Sequence, residues 1–67
     1  MSILPAVAEN TLHVERARRR LSQRDAAMLV GLPFWRYYHI ERGWKEPTAA
    51  EVAQMAARLN TSPDVLF

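Results

Sequence analysis

The stretch Ser22–Gly43, SQRDAAMLVGLPFWRYYHIERG, decides how this chain reads. Gly31-Leu32-Pro33 breaks it in the middle and Gly43 closes it. Ser22 is a helix N-cap residue type, and Asp25 at the third helical position makes SQRD an approximate capping box. Gly31 suits the left-handed position that ends a helix. A second helix then runs from about Pro33 or Phe34 to Arg42 and stops at Gly43. The unit at about 22–42 is therefore two short helices and a tight turn.

The second of these helices is crowded with rings. Phe34, Trp35, Tyr37, Tyr38 and, just beyond it, Trp44 are five of the six aromatic residues in the chain. Residues on a helix step by about 100°. With Phe34 at zero, Tyr37, Ile40 and Glu41 point near ~300°, ~240° and ~340°, while Phe34, Trp35, Tyr38, His39 and Arg42 fall between zero and about 140°. One face thus sends Tyr37 and Ile40 to a core. The other presents Phe34, Trp35, Tyr38, His39 and Arg42 outward, with Arg36 on the flank.

Outward from this unit the pieces remain short and helical. Pro5 suits the first turn of a helix reaching about Arg20, with a loose stripe of Val7, Ala8, Thr11, Leu12, Val14, Ala17 and Leu21. TAAE, from Thr48 to Glu51, is a capping box for a helix carrying Ala49, Val52, Ala53, Met55, Ala56 and Leu59, which Asn60 can end. SPDVLF offers Ser62 as a cap, Pro63 in the first turn and Leu66 as a core plug. Sustained alternation of apolar and polar residues is absent, so strands are not expected. The predicted fold class is all-α: five short helices in one compact domain spanning 1–67.

The chain has 67 residues and no cysteine. A domain of this size buries only roughly 60% of its unfolded surface. Neither a signal peptide nor a membrane span is visible, and the lack of cysteine suits a reducing cytosol. The net charge is only +2, but residues 16–45 carry eight bases against two acids, and the rest carries one base and five acids. That asymmetry points to a surface facing a polyanion, or to an ordinary solvated surface. His13 and His39 are the only histidines, with no third ligand at zinc spacing, so no metal or cofactor is expected. The sequence gives no support for a Ser-His-Asp or paired-carboxylate arrangement, and an enzyme is not expected.

Two helices and a tight turn at Gly31 follow the helix-turn-helix plan. LSQRDAAMLVGL, then YYHIERG, KEPTAAEVAQMAARLN and SPDVLF, resembles the phage-repressor class of helix-turn-helix regulators, the lambda repressor-like or xenobiotic-response-element type. The resemblance covers about residues 12–67. It rests on Arg16, Ser22-Gln23, Ala27, Gly31, Ile40-Glu41, Gly43, Pro47, Ala56, Leu59 and Leu66. It implies an ion pair between Arg16 and Glu41, joining the first and third helices as a register device. It implies phosphate contact by Gln23 and the helix start beside it, including Arg24. In such a domain the outward face of helix 33–42 enters the major groove. Phe34 and Trp35 stand where the family usually has polar residues. Phe34 can pack on thymine methyls; Trp35, Tyr38 and His39 can each supply one hydrogen bond. Arg36 or Arg42 can take guanine or phosphate, and Lys45 the neighbouring backbone.

The resemblance thus implies a sequence-specific DNA-binding regulator, a repressor bound as a homodimer to a palindromic operator, bacterial or phage in origin, cytoplasmic, with no small-molecule ligand. The alternative is a protein-interaction module, adaptor or antitoxin-like, using the same aromatic face. Met28 and Leu29, apolar where the family is usually polar, are either extra core or a partner surface. Trp44 either folds back on the fourth helix or joins an interface. A dimer contact is expected from the end of the fourth helix and SPDVLF with Phe67. Arg18, Arg19 and Arg20 form either a phosphate-binding edge or the solvated end of a helix. The initial Met and the ending just after Leu66 suggest a complete small regulator.

Overall fold

A computed structural model describes residues 10–67. They form α1 (Leu12–Arg18), α2 (Gln23–Val30), α3 (Phe34–Glu41), α4 (Ala49–Arg58) and α5 (Pro63–Leu66), with no strand among the described residues.

Local chemistry sets most of these bounds. The Ser22 hydroxyl accepts the Asp25 N–H at 3.0 Å and starts α2. Thr48 and Glu51 make a full reciprocal box: the Thr48 hydroxyl accepts the Glu51 N–H at 3.0 Å, and Glu51 Oε1 accepts the Thr48 N–H at 2.9 Å. The first four helices end in one shared hook, in which an N–H just past the helix turns back to a carbonyl five residues earlier. The pairs are Leu21 to Arg16 (3.1 Å), Leu32 to Ala27 (3.0 Å), Trp44 to His39 (2.9 Å) and Thr61 to Ala56 (2.9 Å). Each hook needs a left-handed residue, supplied by Arg20 (φ 58°), Gly31 (79°), Gly43 (79°) and Asn60 (58°). Glycine and asparagine take that conformation readily; arginine does so at a cost of about 1–2 kcal/mol.

The first helix is shorter than the sequence suggests. Its expected start at Pro5, with Val7 and Ala8, lies outside the described residues. Asn10 and Thr11 are not helical, because their hydrogen bonds lead elsewhere. Asn10 Oδ1 accepts the Leu12 N–H at 3.0 Å, and Asn10 Nδ2 donates to the Ile40 carbonyl at 2.9 Å. The Thr11 N–H donates to Leu66 at 2.9 Å and its hydroxyl to Val65 at 2.6 Å. The expected stripe also thins out. Leu12 is fully buried and Leu21 packs on the core, but Thr11, Val14 and Ala17 are exposed. On α4, Ala49 and Ala53 are likewise exposed, and the Ser62 hydroxyl caps nothing on α5.

The core takes Leu12 from α1, Ala26, Ala27 and Val30 from α2, Tyr37 and Ile40 from α3, Met55 and Ala56 from α4, then Leu59 and Leu66. The two small residues, Ala26 and Ala27, let α2 lie close to its neighbours. Beside this core, Arg16 donates to Glu41 Oε2 from Nη2 at 2.9 Å and from Nε at 3.1 Å, and from Nη1 to the Leu21 carbonyl at 3.1 Å. The Glu41 side chain is only 3% exposed, and its Oε1 has no hydrogen-bond partner.

Replacing Arg16 by alanine would leave that carboxylate buried and uncompensated, so Arg16→Ala is expected to destabilise by about 3 kcal/mol in urea unfolding. A variant as stable as the parent would remove the pair from any structural role. Arg20→Gly is expected to gain about 1 kcal/mol and Gly31→Ala to lose about 1–2 kcal/mol. A methyl at Gly31 also comes within 2.8 Å of the Gln54 amide nitrogen.

Candidate nucleic-acid interface

The i, i+4 spacing of α3 sets its two faces. Tyr37 and Ile40 are within 1% of complete burial. Phe34 is 36% exposed and Trp35 59%; Arg42 is exposed, and Tyr38 and His39 are half-buried. Their partial burial comes from packing on one another. Phe34 stacks on Tyr38 at 5.8 Å between centroids, and Trp35 meets His39 edge-on at 5.8 Å.

The hook at Gly43 then brings Trp44 back. Its indole lies 5.6 Å from the Tyr38 ring and 5.5 Å from His39. Of the two alternatives for Trp44, folding back on the fourth helix or joining an interface, the ring contacts show neither directly: it folds back on α3 and stays half exposed. Arg42 lies over both Trp44 (5.2 Å) and Tyr38 (5.6 Å). At the other end, Arg24 of α2 lies over Phe34 at 4.7 Å. The result is one aromatic ridge with a guanidinium at each end. Each cation–π contact contributes about 0.5–1 kcal/mol at an exposed site, which favours this arrangement of the rings.

Basic side chains divide into two groups. Arg24, Arg42 and Lys45 have no carboxylate partner among the described residues, and Gln23 is the first residue of α2 beside Arg24. Arg36 is differently placed. It grips Glu51 with two parallel bonds, Nη2–Oε1 at 2.7 Å and Nε–Oε2 at 3.0 Å, and donates to the Glu46 carbonyl at 3.1 Å. Its guanidinium ties α3 to the start of α4. Of the arginine run, Arg19 bonds Glu15 Oε1 at 2.8 Å and the Leu59 carbonyl at 2.5 Å, while the Arg18 side chain remains 71% exposed.

Sequence reasoning missed how α4 finishes α2. Gln54 Nε2 donates to the Val30 carbonyl at 2.6 Å, and Arg58 Nη1 to the Leu29 carbonyl at 3.1 Å. The signal available was an amide and a guanidinium four residues apart beside the apolar stripe. Met28 is 73% exposed and Leu29 40%, so neither is core; Val65 (45%) and Phe67 (40%) are the exposed apolar residues at the far end.

A family model described as helix-turn-helix matches residues 12–66. This chain belongs to that family. Its members of the lambda repressor-like type share the five-helix fold seen here. A search of curated proteins gave no match. Among solved structures, the crystal structure of the restriction-modification controller protein C.AhdI from Aeromonas hydrophila is similar, with a TM-score of 0.76 and 30% identity. The match covers 84% of this chain and 85% of that one. Both matches support a DNA-binding transcription regulator rather than an enzyme. Among the described residues, no helix is long and apolar enough to cross a membrane, and no group of three or more His, Cys, Asp or Glu side chains is placed to hold a metal.

The ion pairs and the core tyrosine set the pH range. The hydrogen bond from Arg19 lowers the Glu15 pKa, and that from Arg36 lowers the Glu51 pKa. Burial, with the Glu41 charge adding to it, raises the Tyr37 pKa. A carboxyl with a lowered folded pKa contributes stability that is complete above its unfolded value and lost as pH falls through the folded one. A phenol with a raised folded pKa loses stability as pH rises past its unfolded value. Thermal unfolding should therefore show a plateau, with Tm falling below about pH 4.5 and again above about pH 10. An Arg36→Met variant should lose part of the acid limb; an unchanged limb would remove the Arg36–Glu51 pair as its source.

Proposed function

We propose that this chain is a sequence-specific transcription regulator that binds duplex DNA through α3 in the major groove. It acts as a repressor, in the cytoplasm and on the nucleoid, as a homodimer on a two-fold operator with half-sites about one helical turn apart. The observation that carries this reading is the ridge on α3, the second helix of the motif, flanked by Arg24, Arg42 and Lys45, which have no carboxylate partner among the described residues. Phosphates would be met by Gln23 and the free N–H groups at the start of α2, which favour anions. Arg42 and Lys45 would meet the backbone beyond α3. Phe34, Trp35, Tyr38 and His39 would face base edges. Arg36 is excluded from base contact in this reading, because its hydrogen-bonding edge is already turned to Glu51.

The similarity to a restriction-modification controller protein is consistent with a regulatory role. Val65 and Phe67, with the end of α4, supply apolar surface for a second copy, and Met28 and Leu29 a second patch. The reading needs no metal, cofactor or small-molecule ligand.

A second reading has its own observation. Trp35 and Trp44 are more than half exposed, and tryptophan, tyrosine and arginine are the residue types that dominate protein-binding hot spots. An adaptor or antitoxin-like partner would use the same ridge.

Fluorescence anisotropy with duplexes from the chain's own upstream region, over a salt series, separates the two. The DNA reading expects log affinity to fall linearly with log salt, by roughly 0.9 per phosphate contact. Arg42→Ala and Gln23→Ala should weaken binding across all sequences, and Trp35→Ala should alter sequence preference. If no duplex is retained above background at low salt, the DNA reading is wrong and the protein-partner reading stands.

A further inference from the structure

The chemistry of the ridge specifies what kind of base edge it can read. Direct readers of guanine or adenine place two parallel hydrogen bonds from an arginine or an amide side chain. The first turn and a half of α3 contains Phe34, Trp35, Arg36, Tyr37 and Tyr38. Arg36 is the one side chain among them able to make such a pair, but its Nε–Nη2 edge is held by Glu51 and Nη2 also donates to the Glu46 carbonyl, which leaves only Nη1 outside these bonds and no free pair of parallel donors. Tyr37 is buried. What faces outward at the leading end is therefore mostly apolar ring surface, Phe34 and Trp35, with the single indole N–H of Trp35 and the Tyr38 hydroxyl behind it as isolated polar groups.

The major groove offers one apolar group, the 5-methyl of thymine. A phenyl edge pressed on a G·C pair removes water from the guanine O6 and N7 acceptors and the cytosine amino group without replacing its hydrogen bonds, which is unfavourable. Pressed on a methyl, it gains apolar burial on both sides. Phe34 also has neighbours that orient it for this contact: Arg24 lies over its ring at 4.7 Å and Tyr38 stacks on it at 5.8 Å, while 36% of the residue stays exposed.

Building on the DNA reading, we infer that this chain recognises its half-site by pyrimidine 5-methyl groups, met by Phe34 and Trp35, and not by amide or guanidinium pairing at the leading end of α3. Thymine is the natural carrier. Cytosine methylated at carbon 5 presents the same group in the same place, so the surface accepts it as well.

Selection from random sequence makes this testable with any operator. A randomised duplex pool is selected on the full chain, and the enriched duplex is remade with deoxyuridine at each thymine in turn, which removes only the methyl. Affinity should fall by about fourfold at each contacted position, the value of one buried methyl. Replacing cytosine by 5-methylcytosine at such a position should raise affinity by a similar factor relative to cytosine. Phe34→Ala should abolish the uridine effect at one position and Trp35→Ala at another, with helix content by circular dichroism unchanged because both side chains lie outside the core. A selected duplex indifferent to uridine at every position overturns the inference. So does a Phe34→Ala, Trp35→Ala double variant that keeps the full sensitivity, or an isolated strand bound more tightly than the duplex, which would mean base stacking. Failure to enrich any duplex instead sinks the DNA reading itself.

Discussion

Arg16 is the residue around which the described fold is arranged. Its guanidinium holds the Glu41 carboxylate at the end of α3 and the Leu21 carbonyl just before α2. One planar group on α1 therefore sets where both helices of the motif sit. Glu41 is nearly enclosed by the fold, so its charge would be strongly unfavourable without that partner. The pair acts as a positional constraint: alternatives that slide α3 along α1 strand an ion away from water.

The same device recurs around the molecule. Arg19 reaches the Leu59 carbonyl at the end of α4, Arg58 and Gln54 reach carbonyls at the end of α2, and Arg36 reaches Glu46 and Glu51 at the start of α4. Arg19, Arg58 and Gln54 each satisfy a carbonyl at a helix end that would otherwise need water, while Arg36 ties α3 to a side chain of α4 and to the loop before it. A chain this small has limited apolar surface to bury. Closing helix ends with arginine and glutamine from neighbouring helices adds connections between helices without demanding a larger core.

What could be seen in the sequence follows the range of the interaction. The hooks at Gly31 and Gly43 and the Thr48–Glu51 box involve residues within six positions of each other, and their residue types announce them. The two faces of α3 follow from helical periodicity, which separates Tyr37 and Ile40 from Phe34 and Trp35. The Arg16–Glu41 pair was expected from family resemblance, since nothing in a spacing of twenty-five residues reveals it. Arg36 looked free because its partner lies fifteen residues away on another helix. The beginning of α1 was missed for a similar reason. Thr11 gives its N–H and hydroxyl to α5, at the opposite end of the chain, and no local pattern records that. The leading end of the ridge was half legible: Phe34 was expected to face outward, but the arginine covering it comes from α2.

The placement of the rings has an optical consequence. Among the described residues the only aromatic side chain in the core is Tyr37, whereas both tryptophans lie on the outside, Trp35 on α3 and Trp44 against it. Indole dominates the ultraviolet emission of a protein that contains it. The fluorescence of this chain is thus a property of its working surface more than of its interior. Its colour and intensity register what sits on the ridge and how Arg42 and His39 lie beside the indoles, while the packing of the core is best followed through the phenol of Tyr37.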